Sequence, residues 1–348
     1  MAVSPFNQFE IVDRTRDALI IPNTWSLTTD LGIFSNDSVT NATFIMEEIE
    51  QERGGILRDS AYNTRSRVER NDKRKMHTFY VPHFGMDAYI TPQDLVNKRA
   101  FGGDGQEELD MVRARKLGFI RRTIAETAEA SAMHAIVTGT AFAPDATIDV
   151  NWYTTFGKTR KVKYFDLAND ATSINAKCED VIATMQDDSQ NGTVVPANLI
   201  ALCSPDFFSA LIAHNGVQTA WLNWTQLSPL LANRTVAGGL TLDARYRHIE
   251  MYGITFVEYR GGYYMDGVYT PYVPTGKAYV MPRGASSAFQ KVYAPAQRFD
   301  TYGQAGQELY VREYLDERAQ QWTLMAESNF LHVLREPNLI IELNKAAA

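Results

Sequence analysis

The chain has 348 residues, of which 45% are hydrophobic, 22% charged and 11% aromatic, and its formal net charge is −7. This balance excludes a disordered or fibrous chain, and the length supplies about two domains' worth of core at roughly 150 residues each. The negative charge excludes a molecule that grips nucleic acid over its whole surface, because phosphate affinity scales with the cationic contacts made.

In chain order, "SLTTDLGIFSNDSVT" (Ser26 to Thr40) sets turn formers around short apolar groups, which predicts an extended arm with little core of its own. "ATFIMEEIE" reads as a strand and "MHTFYVPHF" as a second, making a long hairpin around a polar, basic middle. An isolated hairpin is marginal in water, so this one should lie on a neighbouring surface, in the same chain or another. Its middle and return carry Arg53, Arg58, Arg65, Arg67, Arg70, Lys73, Arg74 and Lys75. Such cations suit electrostatic binding of nucleic acid. However, Glu50, Glu52, Asp59, Glu69 and Asp72 are interleaved with them and Tyr62 is the one aromatic residue available for stacking. Mixed charge of this kind fits a protein surface of complementary sign, where it fixes register.

"FGGDGQEE" places Gly102, Gly103 and Gly105 ahead of a helix, superficially like a phosphate cradle. The preceding strand and a Gly-Lys-Ser/Thr are missing, so these glycines read as a hinge. From Gln106 to Val137, Leu109, Val112, Ile120, Ile124, Ala128 and Ile136 trace an approximate helical stripe. At 1.5 Å per residue the helix is about 45 Å long, a spine across the molecule, and Gly139 offers its C-terminal stop. "ATIDVNWYTTFG" and "TRKVKYFDL" then read as strands, "SINAKCEDVIATMQDD" and "PDFFSALIAHN" as helices, and "HIEMYGITFVEYRG" as a strand interrupted by glycine. Asp266-Gly267 in "YYMDGVYTPYV" signals a tight hairpin. "QWTLMAESNFLHVLREPNLIIEL" reads as two strands parted at Glu336-Pro337. The pattern is α+β in one interwoven unit.

Motifs for chemistry are missing. Cys178 and Cys203 have no paired or metal-type spacing, and His77, His83, His134, His214, His248 and His332 show no ligand spacing. Ser286 and Ser287 miss the nucleophile-elbow pattern. No catalytic, cofactor or metal site is expected. The tyrosines from Tyr259 to Tyr279 suit either a stacking platform or, as their alternation around a turn favours, cross-strand pairing. The first residues lack a basic n-region and a continuous apolar core, and no run is apolar enough for a membrane span, so the protein is expected in the cytoplasm of the cell that makes it.

Several separate stretches, in order, resemble one family. They are "LGIF" with "SVTNATFIMEEIEQERGGIL", "VPHFGMDAYITPQDLVNKRAFG", "RRTIAETAEASAMHAIVTGT" with "ATIDVNWYTTFG", "YGITFVEYRGG", "GKAYVMPRGASSAFQKVYAPA" and "ESNFLHVLREPNLIIEL". Together, from about Ser26 to Leu343, they resemble the lambda-like major capsid proteins of tailed bacteriophages, the capsid protein E family, whose fold is HK97-like. Ala61 to Lys75 departs from the family pattern in being longer and more basic.

The resemblance implies an N-terminal arm at 1–40 and an extended loop at 41–91. A peripheral domain at 92–170 would hold the spine helix (106–138), followed by an axial domain at 171–280 and a return to the peripheral domain at 281–348. It implies a structural protein that assembles with itself into hexamers and pentamers of an icosahedral shell around double-stranded DNA. The partners implied are a decoration protein, portal, scaffold and maturation protease, with no membrane, and the destination is the virion after assembly in the host cytoplasm. The basic tip of the loop would dock on an acidic surface of an adjacent subunit or decorating protein. Some relatives of this fold join a loop lysine to an asparagine of a neighbour; Lys73, Lys75, Glu327 and Asn329 supply the residue types, but the lambda-like branch is not known for that bond. Rival readings are an encapsulin-like compartment shell, a nucleic-acid-binding protein acting through Arg53 to Lys75, and a cytoplasmic enzyme without a recognisable motif.

Overall fold

The computed structural model describes residues 12–13, 27–50, 73–94, 109–189, 198–220, 235–236, 240–241, 246–285, 287–301, 303–316 and 318–347. In chain order its strands are β1 (Val12–Asp13), β2 (Ser35–Ser38), β3 (Thr43–Glu50), β4 (Lys73–Tyr80), β5 (His83–Ile90), β6 (Lys161–Tyr164), β7 (Leu199–Cys203), β8 (Thr235–Val236), β9 (Leu240–Thr241), β10 (His248–Met251), β11 (Ile254–Glu258), β12 (Gly262–Met265), β13 (Val268–Pro271), β14 (Lys277–Pro282), β15 (Phe289–Tyr293), β16 (Tyr310–Asp316), β17 (Gln321–Leu334) and β18 (Ile341–Asn344). The helices are α1 (Leu27–Asp30), α2 (Leu109–Thr138), α3 (Trp152–Thr155), α4 (Ile174–Asp188) and α5 (Pro205–Ala213).

The first sheet is built on β17, whose 14 residues are long enough to serve several partners. Its first half takes β16 and β5, and its second half takes β15, all antiparallel. β1 and β2 then extend the edges. The spine helix α2 packs on this sheet through Val112, Leu117, Ile120 and Ile124, which meet Ile90, Leu309, Val311, Leu324 and Ala326, with Leu109 packed at the margin. Lower down, Ala130, Met133 and Ile136 enter the main core. Arg113 fastens the helix to the sheet by donating to buried Glu313 at 2.6 Å and lying 5.0 Å from the Trp322 ring. Gly139 ends it at φ +74°, a left-handed position that suits glycine, and its N–H donates to the Ala135 carbonyl at 2.9 Å.

The second sheet runs β10-β11-β7-β14-β18-β6, with β7 and β11 buried at every position. α4 and α5 supply Cys178, Val181, Met185, Phe207, Phe208 and Leu211 to its core. Both helices start as their sequences dictate: Ser173 and Ser204 accept from the N–H of the third residue on, and Pro205 follows at the first position. Among the described residues no helix is long and apolar enough to cross a membrane.

Several expectations are corrected. The stretch read as an arm with little core forms α1 and β2, and its Leu27, Leu31 and Ile33 are buried, because a short helix turns them onto the main core. "MHTFYVPHF" is not one strand: Pro82, with no N–H to donate, parts β4 from β5, and the two join different sheets. "ATIDVNWYTTFG" forms α3, not a strand, since the Asn151 side chain accepts from the Tyr153 and Thr154 N–H groups and caps a helical turn. The glycine interruption after Met251 is a hairpin turn joining β10 to β11. Both C-terminal strands form, but in different sheets. Gly102, Gly103, Gly105 and the first residues expected in the spine, 106–108, lie outside the described residues.

Candidate subunit interface

The β3–β4 hairpin changes character along its length. Strand pairing sets Phe44 opposite Phe79 and Met46 opposite His77, followed outward by Glu48 opposite Lys75 and Glu50 opposite Lys73. At the base this face is buried on its own chain: the Phe79 ring meets Trp152 edge-on at 5.2 Å and His77 meets Phe156 at 5.4 Å. Two residues further out the same register positions are occupied by charged residues, and Lys75 there is exposed. The alternate positions pair Thr43 with Tyr80, Ile45 with Thr78, Glu47 with Met76 and Ile49 with Arg74. On that side Met76 is 65% and Tyr80 64% exposed. Large apolar side chains exposed on one face of a two-stranded ribbon mark a surface made to be covered.

Of the eight basic residues assigned to this loop, Lys75 is exposed and the backbones of Lys73 and Arg74 belong to β4. Arg53, Arg58, Arg65, Arg67 and Arg70 lie outside the described residues. Other apolar side chains are also bare: Phe299 wholly, and Met111 and Phe119 two turns apart on α2.

Several buried or part-buried polar residues hold the chain itself together. The buried carboxylate of Glu129 accepts from the Thr28 N–H (3.1 Å) and hydroxyl (2.5 Å) and from the Tyr259 hydroxyl (2.8 Å), joining α1, the spine and the second sheet. Arg160 donates to the carbonyls of Ile136 (2.7 Å) and Val137 (2.5 Å) at the end of the spine, and lies 3.8 Å from Glu342 on β18. Glu327 pairs with Arg298 at 2.5 Å, while Asn329 accepts from the His83 ring and donates to the Pro295 carbonyl, both at 2.8 Å. The two side chains with the right types for an inter-subunit bond are thus engaged within the fold. Sequence reading missed Glu129 and Arg160, since their partners are brought by the tertiary fold.

Burial favours the neutral form of several interior cysteine and histidine side chains. Burial pushes the Cys178 thiol up to about 12 and the Cys203 thiol well above its ordinary value, which removes thiolate reactivity. Burial, then the Lys291 charge, holds His332 well below 6.5. His134 is half-buried, depressed by burial, and shares a hydrogen bond with the Thr140 hydroxyl at 2.9 Å. Among the described residues no group of three or more His, Cys, Asp or Glu could hold a metal ion. Tyr264 and Tyr269 form the expected cross-strand pair at 5.2 Å, and with Tyr259, Tyr263 and Tyr272 they line a cleft.

The family model described as phage major capsid protein E matches residues 15–345. The chain is 40% identical over 348 residues to the major capsid protein of Pseudomonas phage KPP10, covering 98% of each. It is 28% identical over 366 aligned residues to the major capsid protein of Salmonella phage Felix O1, covering 98% of this chain and 97% of that one. In fold it is similar to the capsid of Myoviridae phage XM1, with a TM-score of 0.52 at 10% identity over 94% of this chain and 95% of that one.

Proposed function

The chain belongs to the phage major capsid protein E family, and on that premise we propose how its elements build the shell. It is a structural, shell-forming protein of HK97-like fold, not an enzyme, and its place is the virion capsid. Copies assemble into hexamers and pentamers, which requires heterologous contacts that close. The observation that carries the reading is the β3–β4 hairpin: anchored at its base and apolar on its outer side, it lies over an adjacent copy and enlarges the shared surface beyond what a compact subunit offers. The basic residues from Arg53 to Lys75 dock at the end of that reach.

The expected division into arm, extended loop, peripheral and axial parts is kept as a proposal, with α1 and β2 supplying core to the body. Double-stranded DNA is the content, and the acidic net charge lets it slide instead of sticking. Assembly in the host cytoplasm draws on scaffold, portal and maturation protease, and a decoration protein binds outside. Gly102, Gly103 and Gly105 form the hinge used when the shell expands; shells carrying Gly102→Ala and Gly103→Ala together should stall in the compact form, and normal expansion would remove the assignment. The reading as a whole is tested by sedimentation velocity and electron microscopy of the purified chain, alone and with its scaffold. Rings, tubes or shells are expected, and a persistent monomer under both conditions would overturn it.

A further inference from the structure

A cleft of about 750 Å³ separates the middle of α2 from the β12–β13 hairpin. Thr123, Glu126 and Ala130 line it from the helix, and Tyr259, Tyr263, Tyr264, Tyr269 and Tyr272 line it from the other side. The tyrosines support one another: the rings of Tyr259 and Tyr272 stack at 5.3 Å and those of Tyr263 and Tyr272 lie 5.8 Å apart. The hairpin's tip has no cover, with Tyr264 76% and Val268 65% exposed.

The cleft is electrostatically lopsided. On the axial side Arg247 and Arg260 share buried Glu258, at 3.3 and 2.7 Å. On the helix side Glu126 is exposed, and no basic residue among those described pairs with it. Behind the aromatic wall stands Glu129, bound to the Tyr259 hydroxyl. Burial, then Glu129 and Glu126, raises the Tyr272 phenol above its ordinary value, as expected where negative charge is concentrated. Aromatic faces beside an unpaired carboxylate form a receptor for a guanidinium or ammonium group.

We infer that this cleft on one copy receives a basic side chain from the 51–75 segment of a second copy. The inference rests on the reading that the extended loop lies over a neighbour, and it names the place where the loop's tip is held. Charge selects this occupant: residues 51–75 contain eight Arg and Lys against four Asp and Glu in a chain of net charge −7, so the remainder of the chain is more acidic still. The test is Tyr264→p-benzoylphenylalanine in the full chain, with irradiation before and after assembly and mapping of the cross-linked peptides. Assembled shells should give adducts to peptides within 51–75, unassembled chain should not, and Glu126→Lys should abolish them while the conservative Glu126→Asp retains them. Adducts to a different segment, to a different protein, or to the chain's own loop before assembly would overturn the inference. A second probe, Met76→p-benzoylphenylalanine, separates the two levels. If it reaches a neighbour while the Tyr264 probe misses 51–75, the cleft is wrong and the loop reading stands; if neither probe crosses to another copy, both fall.

Discussion

Glu129 is 2% exposed and its two oxygens are satisfied by three donors from two other elements. A buried carboxylate is stable only when so provided for, and deleting it strands the donors. Glu129→Ala should therefore destabilise the unassembled subunit by about 3 kcal/mol in urea unfolding; a loss below about 1 kcal/mol would mean the network is weaker than its geometry. His332 makes a pH-dependent contribution whose sign follows from its depressed pKa. The unfolded chain takes up a proton below 6.5, whereas the folded chain keeps the ring neutral beside Lys291 and hydrogen-bonded to Ser131 at 2.9 Å. This stability is complete above 6.5 and is lost progressively as the pH falls toward the folded value. His332→Phe should flatten the stability-against-pH curve below 6.5 relative to the parent chain; identical slopes would refute the assignment. Neither Glu129 nor His332 stood out in the sequence, because a lone Glu on a helix or His on a strand looks the same whether solvated or buried. Their partners lie 130 and 201 residues away for Tyr259 and Ser131 respectively.

Among elements, several shaped by local chemistry were legible, although the Asn151-capped turn of α3 and the break at Pro82 were not, and those decided by distant partners stayed hidden. The spine helix announced itself by its stripe and its terminal glycine, and the stretches of α4 and α5 also read as helices, whose Ser173 and Ser204 caps the structure then supplied. The turn of β12–β13 has Asp266 at φ +51° and Gly267 at φ +79°, the left-handed pair that Asp-Gly favours. By contrast, nothing local says that β17 and β18, seven residues apart, belong to two different sheets, or that Leu27 and Leu31 are core. Two predictions concern the end of the spine. Gly139→Ala forces a left-handed alanine and drives its Cβ into the Tyr153 ring, so the melting transition should fall by the equivalent of about 2 kcal/mol or more. Arg160→Lys replaces a fork that reaches two helix carbonyls with a single point of charge. It should lose about 1–2 kcal/mol, measurable by urea unfolding, and no change would show that the fork is dispensable.

At the scale of the whole molecule the subunit is incomplete in a directed way. Its interior is closed by two sheets and a spine, yet the β3–β4 hairpin presents Met76 and Tyr80 to water and the β12–β13 hairpin presents Tyr264 and Val268. The extended hairpin was visible in the sequence as two strands around a basic middle, but the exchange of faces along it was not, since it depends on where the strands meet Trp152 and Phe156. The chain belongs to a shell-forming family, and under the proposed function the missing cover is other copies of the same chain. The most direct measurement is sedimentation velocity of Met76→Asp with Tyr80→Asp against the parent chain under assembling conditions, with thermal unfolding recorded on both. The account predicts that the double variant melts as the parent does, since both side chains are outside the core, but stays as single subunits while the parent forms rings or shells. A double variant that assembles like the parent would contradict the claim that this face of the hairpin joins one subunit to the next.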